Sequence, residues 1–567
     1  MGKPPSQGRN RPTSVAKSES RRLFRSGLGT ISGSLNRWRF WRSPWGWVLI
    51  GGVLMGLTPA PTNLWPLAWI ALVPLWRAVV DPLQPRSGWT RFQLGALWSG
   101  IYHGIVLSWI THLHPLTWMG VPWLASIAIA LFAWGFITGL GTVTFGLWAV
   151  LIGWLSDRRA LGVAGRLLVG TALWCFLETV LSWGPLAWPF LAFTQSPHNL
   201  GVLHLGQLAG PMTVTAAIVA VNGAWAEASL GYARYPAQGW SWRWQPFLGG
   251  LVLLVGVHGL GGILYSQPLA EPAAASLKIG LIQGNVPTRV KLTPAGTRQA
   301  IAAYTDGYKN LVAQGADAVL TPEGAIPEVW IQNRQIRSPI RQAVIQEGVV
   351  LWLGTFRPVA DQFSRDLHQS LVNLDVRGQV TSQYNKVKLV PLGEYIPLES
   401  LLGRLISRLS PVSSSLKPGR FDQVFETPFG QAVIGICYES AYSNLFRLQT
   451  AHGGEWIMTA SNNDPYPPRM MMQHHAQDVM RAIESDRWSV RVTNTGISGL
   501  VSPRGATLWL SSPNQYGTYL AQIYKRQTQT LYVRWGNWLT YGLLLAGGVT
   551  SLSSVRKEAS ATQISLN

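Results

Sequence analysis

Apolar residues run in long blocks through the first half of the chain. Seven blocks lie near 44–59, 63–80, 94–113, 122–153, 163–184, 207–230 and 246–265. Each is roughly long enough to cross a ~30 Å hydrocarbon core, the first being short and the fourth long enough to kink or tilt. An eighth lies at 533–552. Between the seventh and the eighth the pattern changes. Short runs rich in β-branched residues alternate with stretches of helical spacing. Strands are expected at 277–283, 317–320, 349–355, 370–376, 379–384, 432–437, 456–460, 488–494 and 497–501, and helices at 295–314, 335–347, 440–452 and 470–486. That alternation predicts an α/β domain. Residues 398–410, LESLLGRLISRLS, place Leu and Ile at helical spacing with Arg404 and Arg408 opposite, an amphipathic stretch able to lie on a bilayer.

Composition sharpens the membrane reading. Only 13% of residues are charged, against the usual quarter, and 47% are apolar. The 29 tryptophans fit a chain with two membrane–water interfaces. A net charge of +21 invites a nucleic-acid reading, but its distribution argues otherwise. Ten of the 46 Lys and Arg lie in the first 45 residues, directly before an apolar block, where they read as a cytoplasmic flank on anionic lipid. Residues 1–43 are otherwise polar and rich in Ser and Gly, and read as a disordered arm. They are too long for an n-region, and no A-x-A-like site follows, so no cleaved signal peptide is expected.

Loop charges give the orientation. Loops after even-numbered blocks carry Arg86 and Arg91, then Arg158, Arg159 and Arg166, then Arg234 and Arg243. Loops at 60–62, 114–121 and 185–206 carry no Lys or Arg, and the tail after the eighth block has Arg556 and Lys557. By the positive-inside rule both termini are cytoplasmic and the 266–532 domain is outside, periplasmic in a bacterium with two membranes. The expected organisation is a basic arm (1–43), a seven-helix transmembrane domain (44–265), an extracytoplasmic α/β domain (266–532), an eighth helix (533–552) and a cytoplasmic tail (553–567).

Three polar groups in the outer domain lie near strand ends. Cys437 ends QAVIGIC, Glu323 follows AVL in AVLTPEGAIPEVW, and Lys386 lies in YNKVKLVPLGEYIP. A Cys, a Lys and a Glu near strand ends suit acyl transfer. The thiolate attacks, a nearby Lys lowers the thiol pKa and donates to the oxyanion, and the carboxylate moves the thiol proton. No metal or other cofactor is needed, and no zinc-type Cys/His spacing or phosphate-cradling glycine loop is present. Each residue has a plainer alternative: Cys437 as a small core residue, Glu323 as a cap or turn residue, Lys386 as a surface cation beside Lys388, Glu394 and Glu439 as ordinary ion-pair partners. His474 and His475 sit in a helical stretch and read as ordinary helix positions. Cys175 lies mid-membrane and reads as packing, so the two cysteines imply no disulfide framework.

At these residues the chain resembles a known family. TPEGAIPE around Glu323, YNKVKLVPLGEYIPLES around Lys386 and IGICYES around Cys437 are similar to the Glu–Lys–Cys motifs of the nitrilase (carbon–nitrogen hydrolase) superfamily. IQGNVP at 282–287 and RVTNTGISGLVSPRG at 491–505 resemble one branch, the apolipoprotein N-acyltransferases, over roughly 44–552. The resemblance implies an αββα sandwich over an eight-helix bundle. It also implies a reaction. The Cys takes an acyl chain from a membrane phospholipid as a thioester, releasing a lysophospholipid. The N-terminal amine of an S-diacylglyceryl-cysteine on an apolipoprotein then takes the acyl group. By the same resemblance Glu323 is general base, Lys386 oxyanion and thiolate stabiliser, and Cys437 nucleophile, with Glu394, Tyr438 and Glu439 in supporting or substrate-binding roles. The chain departs from the family at Leu292, where a Trp is usual, and at 463–468, NDPYPP, where an acidic residue, Trp, Phe and Gly are usual. Both stretches are expected at the acyl entrance. Two other readings compete: a membrane-tethered amidase that uses water as acceptor, and a non-catalytic membrane assembly or transport protein. The second predicts ionisable residues in the spans as an ion path, where little stands beyond His103, His112, Glu178 and His258.

Overall fold

The computed structural model describes residues 1–2, 43–157, 161–234, 240–329, 334–360, 366–391, 393–395, 416–464 and 466–566. All but the ends of the basic arm, and the whole of the amphipathic stretch at 398–410, lie outside the described residues.

Among the described residues three helices are long and apolar enough to cross a membrane: Trp123–Asp157, Val163–Trp183 and Phe247–Tyr265. A fourth candidate is bent. Leu200–Ala209 and Pro211–Gly231 meet at 118°, where Gly210 takes φ +76 and Pro211 restarts the helix. The remaining apolar blocks are shorter or broken. Pro44–Gly56 is one short helix. Block 63–80 divides into a 3₁₀ turn, Trp65–Trp69, and the helix Val73–Val80. Block 94–113 is the helix Gly88–Val106 followed by the 3₁₀ turn Ser108–Leu113. The last block opens as Leu531–Trp535, turns at Gly536 with φ +63, and continues as Trp538–Leu566. These breaks escape a hydropathy reading because glycine and proline are common inside apolar helices too.

Helices in this half meet at small residues. A Cβ on Gly95 would lie 2.5 Å from the Phe145 carbonyl oxygen, so Gly88–Val106 and Trp123–Asp157 touch at backbone. Arg166 pairs with Glu227 at 2.5 Å with both side chains buried, tying the Val163–Trp183 span to the Pro211–Arg234 helix.

Among the described residues the second half has twelve strands: β1 Ser276–Gln283, β2 Ala318–Leu320, β3 Val350–Pro358, β4 Leu367–Leu374, β5 Val380–Asn385, β6 Phe425–Thr427, β7 Gly430–Ile436, β8 Trp456–Ser461, β9 Ser489–Thr493, β10 Gly499–Val501, β11 Thr507–Leu510 and β12 Gly517–Tyr524. They form two six-stranded sheets, ordered β12-β1-β2-β3-β4-β5 and β11-β10-β9-β8-β7-β6. The central pairs β1–β2, β2–β3, β7–β8 and β8–β9 are parallel, and the flanking pairs are antiparallel. Side-chain alternation divides the first sheet. Ile282, Val319, Leu351 and Leu353 pack against the helices Pro294–Ala313 and Arg334–Glu347, whereas Leu277, Ile279, Leu320 and Trp352 belong to the other core. Trp352 on β3 meets Trp456 on β8 at 6.2 Å between ring centroids, which places the two sheets face to face.

The second sheet carries Ser443–Ala451 and Pro468–Ser485. The latter helix is buried at every residue from Gln473 to Ser485, because the membrane half lies against it. Trp188 Nε1 donates to Gln473 Oε1 at 2.7 Å, Ser196 Oγ to the Ala476 carbonyl at 2.6 Å, and Gln473 Nε2 to the Val106 carbonyl at 3.1 Å. The nitrilase-like α/β sandwich and a helical N-terminal region are thus both present.

Candidate active site

Glu323 and Cys437 each follow a strand whose apolar run fixes where the chain emerges, and Lys386 follows the more polar strand β5, VTSQYN. Glu323 stands three residues past β2. The turn that carries it lies against β3 because position 354 is glycine: a Cβ there would sit 2.0 Å from the Pro322 carbonyl oxygen. Thr321 Oγ1 accepts from the Gly354 N–H at 3.0 Å and locks the turn. Lys386 directly follows β5 and is held by backbone bonds on both sides, Lys386 N–H to Gln369 O and Gly419 N–H to Lys386 O, each 2.8 Å. Cys437 ends the β7 run and opens a 3₁₀ turn, Cys437–Ala441. Its φ is +52, a costly conformation for a residue with a Cβ, so the surrounding contacts must hold it there.

The structure brings the charged groups together. Lys386 Nζ, fully buried, donates to Glu323 Oε1 at 2.8 Å and to Glu394 Oε1 at 2.6 Å. Glu323 Oε2 accepts the Asn462 N–H at 3.0 Å, and the carbonyl of the same residue accepts from Cys437 Sγ at 3.6 Å. The residue Asn462 therefore links the candidate base to the candidate nucleophile through main-chain atoms that any residue carries. Glu394 Oε2 accepts the Val390 N–H at 2.9 Å, so the carboxylate that meets the lysine is also held by the backbone.

Glu439 and Tyr438 sit elsewhere. Glu439 is a clamp: one oxygen accepts the Val387 and Lys388 N–H groups at 2.6 and 3.0 Å, the other the Ile436 N–H at 2.7 Å and the Tyr384 hydroxyl at 3.1 Å. It fixes the strand end bearing Lys386 against the strand end bearing Cys437. Tyr438 points at the membrane half. Its hydroxyl donates to the Pro185 carbonyl at 2.8 Å, and its ring stacks on Trp188 at 6.0 Å. Tyr442 makes a parallel contact, hydroxyl to Gly184 carbonyl at 3.2 Å.

Electrostatics refine the chemistry expected from sequence. Burial, then the Glu323 carboxylate, push the Cys437 thiol up to about 12, although Lys386 pulls the other way. The cation alone does not make a resting thiolate. The proton must leave as sulfur attacks, which requires a positioned base. Burial alone would lower Lys386, but Glu323 and Glu394 outweigh it and hold the lysine well above its ordinary value, as a cation. Burial lifts Glu439 to about 7 against the pull of the backbone donors around it.

The sequence reading missed two contributors. His474 Nε2 bonds the Cys437 carbonyl at 2.8 Å while Nδ1 faces Asn463 and Arg491 at 3.1 and 2.9 Å. Burial, then Arg491, lower it to about 3, so it is a neutral donor that holds the nucleophile's backbone. Lys291 is buried beside Gly324 with no hydrogen bond or ion pair to its ammonium among the described residues. Burial lowers it to about 8 against the pull of Glu323 and Asp464. Of the two departures from the family, Leu292 is 44% exposed. Tyr466 packs edge-on to Trp109 at 5.3 Å, and its hydroxyl senses the charges of Cys437, Glu394, Lys386 and Glu323. Trp109 in turn meets Trp188 at 5.4 Å, so an aromatic wall runs beside the site toward the helices.

Comparison with known proteins bears on both halves. The carbon-nitrogen hydrolase family profile matches residues 278–532, and the profile of the apolipoprotein N-acyltransferase N-terminal domain matches residues 51–224. A protein of Nostoc sp. named apolipoprotein N-acyltransferase is 49% identical over 489 residues, covering 86% of this chain and 94% of that one. A protein of the same name from Synechocystis sp. is 42% identical over 517 residues, covering 88% and 99%. Among solved structures, an amidase from Nesterenkonia sp. aligns with 48% of this chain and 98% of its own at 18% identity and a TM-score of 0.36.

Proposed function

The chain belongs to the apolipoprotein N-acyltransferases and is an acyltransferase, and we propose that Cys437 carries the acyl group as a thioester between donor and acceptor. The observation that carries this reading is the buried cluster of Glu323, Lys386 and Glu394 beside a cysteine held in a strained turn. Sulfur attacks the ester carbonyl of a membrane phospholipid as Glu323 takes its proton. Lys386 stabilises the tetrahedral oxyanion, with Glu394 holding the lysine charged and in place. Glu323 returns the proton to the departing lysophospholipid oxygen. The α-amine of a diacylated apolipoprotein then attacks the thioester. Glu323 takes a proton from the amine and passes it to the departing Cys437 sulfur, and the amide forms downhill. Glu439 and His474 position the nucleophile, and Tyr438 anchors its turn to the loop after the Val163–Trp183 span.

Water must be kept from the thioester, or the enzyme would hydrolyse lipid. Cys437 is only 6% exposed, and the Tyr466–Trp109–Trp188 wall supports an approach from the bilayer side. The loop charges support eight crossings, cytoplasmic termini and a periplasmic catalytic domain in the inner membrane. The 44–265, 266–532 and 533–552 boundaries follow from that topology.

Intact mass tests the reading. Incubation with phospholipid should add one acyl chain, labile to hydroxylamine and absent in Cys437→Ala, and a diacylated lipopeptide should discharge it to an amide. Folded wild-type protein that gains no adduct from lipid would overturn the thioester. Free fatty acid in place of N-acylated peptide would establish the amidase chemistry.

A further inference from the structure

Two residues beyond the catalytic lysine the chain carries a second cation in an unusual setting. Lys388 Nζ lies 4.6 Å from the Tyr442 ring centroid and 5.4 Å from that of Phe421. Among the described residues its one polar contact is to the Trp183 carbonyl at 3.4 Å, near the limit of a hydrogen bond. Among the described residues no carboxylate lies within ion-pair distance of it. The acid whose charge acts on it, Glu439, is buried and already accepts four donors. An ammonium with aromatic faces on two sides and two unused N–H donors is a site for an anion.

Its position says which anion. Trp183 is the last residue of the Val163–Trp183 helix and is 61% exposed. The catalytic half sits at that end of the helix, because Tyr438 and Tyr442 bond to the carbonyls just after it. Exposed tryptophans at the ends of apolar helices mark the headgroup level of a bilayer. Phe421, 48% exposed, adds a second aromatic edge at the same place. Lys388 is thus at the depth where lipid phosphates lie, while Lys386, two residues away, faces the reacting carbonyl. A phospholipid carries its phosphate one glycerol away from the ester that Cys437 would attack.

We propose that Lys388 binds the phosphodiester of the acyl-donor phospholipid and so aligns its ester with Cys437. The inference rests on the acyl-donor reading above. The phosphate stays with the lysophospholipid, so the same contact holds the first product. Burial lowers the Lys388 pKa against the pull of Glu439, which agrees with an ammonium that lacks a close counter-ion.

The test is single-turnover acylation of Cys437, read by intact mass in detergent micelles, with three donors: phosphatidylglycerol, phosphatidylethanolamine and a phosphate-free diacylglycerol. Lys388→Met should raise the half-saturating concentration of both phospholipids about tenfold, leave diacylglycerol unchanged within twofold, and be largely rescued by Lys388→Arg. Added salt should weaken the wild-type preference for phosphate-bearing donors in the same direction, a readout that needs no variant. An equal loss with all three donors, or none, would show that Lys388 only pins the two halves together and would overturn the proposal. Wild-type protein that no donor acylates would instead strike the thioester itself, and this inference with it.

Discussion

Glu439→Gln removes one charge and exchanges one oxygen for an amide, and the structure sets the consequence. The carboxylate faces donors only: three backbone N–H groups and the Tyr384 hydroxyl. A glutamine can keep its oxygen toward Val387 and Lys388, which turns its amide hydrogens toward Ile436 and Tyr384. Tyr384 can rotate its hydroxyl and accept, but the Ile436 N–H cannot. One buried backbone donor and one amide hydrogen are then unsatisfied, at about 1–3 kcal/mol each. The two remaining bonds lose their charge assistance, about 1 kcal/mol each. The sum is on the order of 4–8 kcal/mol, a large share of the ~5–15 kcal/mol that stabilises a typical domain. Since Ile436 precedes Cys437 and Val387 follows Lys386, the damage falls between nucleophile and cation. Thermal unfolding should shift down by about 10 °C, and lipid-dependent acylation of Cys437, followed by mass, should fall at least a hundredfold. A variant with wild-type melting and acylation within threefold of wild type would refute the clamp.

Other substitutions separate the remaining roles. His474→Phe, which removes the bond to the Cys437 carbonyl, should slow acylation about tenfold. Because burial holds His474 near 3, the shape of the pH–rate profile above pH 5 should not change; an altered ionisation in that range would make it an acid–base group instead. Alkylation of Cys437 by a neutral reagent should keep rising with pH toward about 12 rather than level off near 9, as an ordinary thiol does; a plateau near 7 would mean a preformed thiolate. Lys291 is lowered from 10.5 to about 8, so between those values the unfolded chain holds a proton that the folded chain lacks, and its contribution to stability rises with pH. Lys291→Met should flatten that rise in melting temperature between pH 8 and pH 10, and an unchanged slope would show that the side chain is solvated.

Much of the catalytic half was legible because its strands are short apolar runs whose ends expose polar residues. β1, β2, β3, β7 and β8 fall where the β-branched runs put them. β6, β11 and β12 were missed. β11 is an edge strand with Thr507, Leu508 and Leu510 exposed, so no buried face marks it in the sequence. The 470–486 stretch was recognisable as helical but not as buried. His474 and His475 read as ordinary helix positions, whereas the helix buries its polar residues: Asp478 pairs with Arg491 and Arg481 Nη2 donates to Glu484 Oε2 at 3.1 Å, all out of solvent. The linking role of Asn462 was invisible for a different reason: its N–H and C=O make the contacts, and backbone atoms leave no trace in residue type. The roles of His474 and Lys291 depend on tertiary contacts, His474 with the Cys437 carbonyl and Lys291 with the charges of Glu323 and Asp464, and spacing along the chain carries no such information.

The two halves are joined through the nucleophile itself. The turn that strains Cys437 into positive φ is held on one side by Glu439 and His474 and on the other by Tyr438 and Tyr442, whose hydroxyls bond to carbonyls beyond the Val163–Trp183 helix. His474 belongs to a helix that also touches Val106 and Trp188 of the membrane half through Gln473. A shift of the helices relative to the sandwich would therefore move the supports of the sulfur as well as the wall beside it. That coupling suits a reaction with two lipid substrates. A strained turn stays strained only while its contacts are complete, so the arrangement that excludes water from the thioester is also the one that keeps the sulfur in position to form it.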